Sequence, residues 1–224
     1  MKPKYLKTMY GAYEVLGQRK LFDRSWDIRK VMPEAPAEVQ GTRLFAGDIF
    51  SEMILGNLVH TSTALLTRER LQRVKGFNVN LKVSGEDYDF HLRTCREGPV
   101  AFLDVSSIRY QVGMNDALSH PGYMIHIALN NLNTILPVLK QDRDRIRLPG
   151  RMINARLTFS YFWIGQAYVD LGEFQKARPF LLKGLLREPY RLRPWGILIL
   201  SFLPNQFQIR LRNRLHLLKR LLKR

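Results

Sequence analysis

Gly85-Glu86-Asp87-Tyr88-Asp89-Phe90 places three carboxylates within one turn, directly after a glycine and shortly after Gly76-Phe77-Asn78. Acids collect at helix starts because the unpaired N–H groups there carry partial positive charge. A helix over 86–96 is therefore predicted, with Tyr88, Leu92 and Cys95 on its core side and Gly98-Pro99 ending it. A carboxylate kept ionised at such a helix end suits proton abstraction. The same pattern is also what an ordinary capped helix shows, so both readings are open at this point.

Working outward, Val100-Ala101-Phe102-Leu103 and 107–112 read as short strands after this helix. Before it, 68–74 reads as a helical turn leading to Gly76, and 61–66 as β-prone. Asp48 is placed to cap a short helix over 49–55, with Gly56-Asn57 ending it in left-handed backbone. The polar stretch from Met32-Pro33 to Gly41 is read as a surface loop, 26–31 as a strand, and 5–16 as an opening helix closed by Gly17. Mixed elements in this order predict an α/β domain over 1–118.

From 119 the character changes to helical. Apolar residues recur at helical period over 122–139, and Pro149-Gly150 separates that helix from the next block. In 158–189, Tyr161, Ile164, Gly165, Tyr168, Ala177, Leu181, Gly184 and Pro189 resemble one tetratricopeptide repeat, with Leu171-Gly172-Glu173 as the turn. A solenoid needs about three such units to bury a continuous core. The single copy is therefore read as one hairpin within a small α-helical appendage over 119–204, packed beside 122–139 and 195–203.

The chain has 224 residues and a net charge of +17, with ordinary hydrophobic and charged fractions of 46% and 25%. It can bury a core, and disorder is not its default. The charge favours an anionic partner, whether nucleotide phosphate, lipid headgroup or nucleic acid. No helix-turn-helix, RNA-binding signature or zinc module accompanies it, so nucleic acid is the weakest of the three. The lone Cys95 excludes an internal disulfide and fits a reducing compartment. No secretory signal or membrane-spanning stretch is recognised, and the chain reads as cytoplasmic.

The tail over 205–224 is disproportionately basic. Phe207, Leu211, Leu215, Leu218 and Leu222 form one apolar stripe beside Arg210, Arg212, Arg214, Lys219, Arg220, Lys223 and Arg224. Two readings are open: a helix lying in an anionic membrane interface, contacting it through Arg210, Arg214, Leu215, Lys219 and Leu222, or a stripe docked on the appendage with a solvated basic face.

The Glu86-Asp87 pair, together with Gly56-Asn57-Leu58-Val59-His60-Thr61-Ser62-Thr63, Arg68-Glu69, Gly76-Phe77 and Val100 to Asp104, resembles the acceptor half of a family 2 glycosyltransferase. The resemblance covers roughly residues 3–118. It implies a partial GT-A-like domain and an inverting transfer from a nucleotide-diphospho-sugar to the hydroxyl of a saccharide or lipid-linked acceptor. By it, Asp87 is the base and Glu86 binds the acceptor, with His60 and Thr61 beside them. His60 is equally readable as a structural hydrogen bonder, and Arg93 as an ion-pair partner or a solvated cation.

Pro3 and Leu6 resemble the end of a stretch that follows the family's Asp-x-Asp metal motif, which would then lie before Met1 together with the Rossmann-like half. No cofactor is accordingly expected in this chain; Mg or Mn is expected only with that N-terminal half, and the chain alone is not expected to catalyse transfer. Many relatives carry a Tyr-Arg-x-His end that completes metal coordination. Here it reads Tyr110-Gln111-Val112-Gly113, without the histidine. The rival expectation is a non-catalytic protein- or membrane-interaction module built on the hairpin and tail.

Overall fold

The structure is a computed structural model and describes residues 21–109 and 121–203. The predicted helix over 5–16, the residues from 110 onward of the strand over 107–112, and the tail stripe lie outside these residues. The chain divides into two compact units, Met1–Met114 with Thr134–Pro149, and Asn115–Asn133 with Gly150–Arg224.

The first unit is mixed α/β. Strands β1 (Arg24–Asp27), β2 (Arg43–Gly47) and β3 (Val100–Leu103) form an antiparallel sheet in the order β1-β2-β3. Trp26 pairs with Leu44, and Phe45 with Phe102. Phe22, Phe45 and Phe102 gather with ring centroids 5.7–6.1 Å apart, an apolar cluster that fixes the strand register.

Two expectations for this stretch are corrected. The strand predicted over 26–31 stops at Asp27, whose Oδ1 accepts from Arg29 N at 3.0 Å and so starts α1 (Ile28–Val31). The central strand β2 falls where no element was predicted. It is short, begins with Arg and ends with Gly, and its pairing to β3 is non-local, so local propensity carries little of it.

Then follow α2 (Phe50–Met53), α3 (Arg68–Val74) and α4 (Glu86–Arg96). Asp48 Oδ1 does accept from Phe50 N, at 3.0 Å. Gly56, however, is not among the glycines with positive φ. The helix instead tightens through bonds from Leu55 N to Glu52 O and from Gly56 N to Met53 O, so a left-handed step is not needed. The segment 61–66 is not a strand either; Thr61–Thr63 form a 3-10 turn and Ala64 is extended. No strand forms at 107–109.

Helix α4 has the predicted bounds. Tyr88, Leu92 and Cys95 are buried as expected, and Phe90, His91 and Thr94 are buried as well. Phe90 stacks on Phe77 with centroids 4.3 Å apart, and Tyr88 donates its hydroxyl to Met53 O at 2.6 Å. Residues 142–147 return to this unit. Arg96 pairs bidentately with buried Asp142 at 2.7 and 2.9 Å, and Arg147 N donates to Ser51 Oγ at 2.9 Å.

Helix α5 (Pro121–Gln141) contains the division between the units. In the second unit α6 (Gly150–Asp170) and α7 (Phe174–Arg187) form a helical hairpin, and α8 (Leu192–Leu200) follows. The turn is at Leu171-Gly172, where Gly172 takes φ 83°. Gly165 and Gly184 of the repeat-like pattern sit at close approaches of the two helices. A Cβ on Gly165 would lie 2.8 Å from Leu181, and one on Gly184 would lie 2.4 Å from Phe162. Among the described residues no helix is long and apolar enough to cross a membrane.

Candidate functional site

Gly85, in left-handed backbone at φ 88°, turns the chain into α4 and offers no side-chain cap. The first turn carries Glu86, Asp87 and Asp89, and the three take different surroundings. Asp89 Oδ2 accepts from Arg93 Nη2 at 2.7 Å and Nε at 2.9 Å. The same guanidinium donates to the carbonyls of Val74 and Gly76. Arg93 is therefore an ion-pair partner rather than a solvated cation, and it ties the end of α3 to α4.

Asp87 is half-buried, and Glu86 beside it is half-buried too. Asp87 Oδ2 accepts from Asn57 Nδ2 at 3.1 Å, and Oδ1 from the backbone N–H of Tyr88 at 2.7 Å. Asn57 Oδ1 accepts from Val59 N at 3.2 Å, which sets its own loop. Leu58, buried, holds that loop against α2 through a bond from its N–H to Met53 Sδ at 3.4 Å.

One turn along α4, on the same face as Asp87, lies His91, 1% exposed. Its Nε2 is 3.1 Å from Thr61 Oγ1. Burial lowers the pKa of His91 below its ordinary value of 6.5; the Asp87 carboxylate pulls it up, and His60 pushes it further down. Burial prevails, so the ring is neutral at pH 7, with one nitrogen donor and one acceptor. The electrostatic reach of Asp87 and His60 onto His91 puts all three in one locality with Thr61 and Asn57.

The structure thus brings 57–61 alongside the start of α4, and with it His60 and Thr61 near Asp87. Asn57 and His91 enter as residues whose part the sequence did not show. A signal for His91 was present, since it stands four residues after Asp87. Glu52 is a further acid not singled out. Burial raises its pKa, the neighbouring Asp48 and Asp23 add to the rise, and Arg147 opposes it. Cys95 is core, as expected, its thiol pushed up to about 12 by burial.

Among the described residues no group of three or more His, Cys, Asp or Glu side chains is placed to hold a metal ion. Comparison with protein-family models, curated proteins and solved structures finds no match to this chain.

Proposed function

We propose that this chain is the acceptor-side part of a GT-A-type, inverting glycosyltransferase of the family 2 kind, with Asp87 as its base. The observation that carries the reading is the half-exposed Asp87 carboxylate at the positive end of α4, oriented by Asn57 Nδ2 at 3.1 Å. Two bonds hold its oxygens in place, and among the described residues no cation pairs with it as Arg93 does with Asp89. A base needs this combination of fixed direction and reach.

In the proposed step, an acceptor hydroxyl gives its proton to an Asp87 oxygen as its own oxygen bonds to the anomeric carbon. The bond from that carbon to the nucleotide diphosphate breaks, and the diphosphate leaves with the electron pair. Glu86, on the same turn, and Thr61, exposed and bonded to His91, would hydrogen-bond the acceptor. Neutral His91 orients Thr61 and does not compete with Asp87 for the proton. The basic tail would hold the protein at an anionic membrane, peripherally, which suits a lipid-linked acceptor.

The test is Asp87→Asn in a form that carries the donor-binding segment. Transfer should fall by about 10²–10⁴-fold, the range of a lost general base, while donor binding stays nearly unchanged. Full turnover in the variant would remove Asp87 from this role. On the present chain, saccharide acceptors should shift the amide resonances of Asn57, Thr61 and Asp87 together; shifts confined elsewhere would place the acceptor at another site.

A further inference from the structure

The second unit exposes apolar side chains that its core does not use. Helix α8 buries Pro194 and Leu198, and Ser201 just beyond its end is buried too; Leu198 packs into the cluster with Leu181 and Leu185 of α7. On an adjacent face Leu192, Trp195, Ile199 and Phe202 recur at steps of three and four and stay exposed, by 82%, 39%, 63% and 65%. Leu182 and Leu186, one turn apart on α7, and Tyr190 in the connecting turn are exposed as well. No charged residue occurs from Pro194 to Leu203. An apolar stripe of this extent marks an interaction surface.

The stripe is held in place by its own bonds. Trp195 Nε1 donates to Pro189 O at 2.9 Å, which fixes the indole against the turn. Arg178 lies 4.1 Å over the Phe202 ring and donates to Ser201 O, which fixes the other end. Charge identifies the occupant. From Gly150 to Arg224 there are fifteen Lys and Arg against three Asp and Glu, and no acid follows Glu188. An apolar stripe with interfacial aromatics inside such a cationic stretch complements an anionic bilayer surface.

We infer that the exposed face of α8 is a lipid-contact surface, whose Leu192, Trp195, Ile199 and Phe202 enter the headgroup boundary of a membrane rich in anionic lipid. This deepens the membrane part of the proposed function by adding to the tail a second, apolar contact. It fails or holds separately from sugar transfer, because Asp87 takes no part in it.

The experiment uses the full chain and phosphatidylcholine vesicles with and without roughly a third phosphatidylglycerol. The chain should co-sediment with the anionic vesicles. Ile199→Glu, at a site exposed enough to leave the fold intact by circular dichroism, should weaken partition by about tenfold or more. The part of the tryptophan quenching by brominated acyl chains that is lost in Trp195→Phe should be substantial. Reversing Arg210, Arg214 and Lys219 to Glu should weaken binding through a smaller salt dependence. Asp87→Asn should bind vesicles as the unaltered chain does. Unchanged partition in Ile199→Glu, or quenching that Trp195→Phe does not alter, overturns the inference. So does a dimer in sedimentation velocity that Ile199→Glu disperses while vesicle binding is absent; a second copy would then be the occupant.

Discussion

Helix α4 and the α6–α7 hairpin are both well buried, yet different forces hold them. Around α4 the fixing contacts are directional: Tyr88 to Met53 O, Arg93 to Asp89 and to the carbonyls closing α3, and Arg96 to Asp142. In the hairpin, apart from the exposed bond of Arg187 Nη1 to Asn154 Oδ1 at 2.9 Å, the contacts are matters of shape. Leu181 sits on Gly165, Phe162 lies over Gly184, and Ile164 and Ala177 have no exposed surface. Directional bonds set the rotation of a helix about its axis as well as its position. A helix held this way presents each side chain in one direction, a constraint that space-filling contacts set less sharply.

The contrast can be broken from either side. The largest effect is expected for Leu181→Ala, which opens a cavity at the crossing and should cost about 2–5 kcal/mol, read as faster amide exchange through α6 and α7. Asp142→Ala strips the buried carboxylate from the partly exposed Arg96 and should cost about 1–3 kcal/mol, read by urea unfolding of the α4 region. If Asp142→Ala proved neutral, the claim that polar bonds fix α4 would be wrong. Gly165→Val drives two methyl groups into Leu181 and should cost about 1–3 kcal/mol. A neutral result there would show that the close approach of α6 and α7 is not needed.

The smallest effect sharpens the comparison by pH. His91 binds its proton less tightly folded than unfolded, so the unfolded chain takes up the extra proton as pH falls. Stability should be level above about 6.5 and decline as pH drops through it, until the folded imidazole itself titrates. His91→Gln should flatten that decline, as followed by denaturant midpoints across the range. An unaltered slope would assign the acid sensitivity to other groups.

Much of α4 was legible because its signals are local: Gly85 before three acids, a core face at helical spacing, and Gly98-Pro99 after it. The turn of the hairpin was legible for the same reason. Strand β2 was not, because Arg43–Gly47 becomes a strand only by pairing with segments on both sides. Residues 61–66 misled through their β-branched threonines, which form a 3-10 turn instead; Thr63 Oγ1 donates locally to His60 O at 2.8 Å, and Thr61 Oγ1 meets His91. In the candidate site, Asp87 could be singled out from its position at a helix start. The parts of Asn57 and His91 depend on the 57–61 loop folding back onto α4, a tertiary fact that no spacing along the chain records.

Cys95 is the only cysteine of the chain, and it is sealed on the buried face of α4 with 1% of its surface open. Its sulfur is therefore silent toward alkylating reagents at neutral pH. A cysteine introduced at Ser62, beside the 57–61 loop, or at Ile199 would be the one thiol that reacts. The native sequence thus already serves as a background for attaching a single spectroscopic label, with no cysteine to remove first.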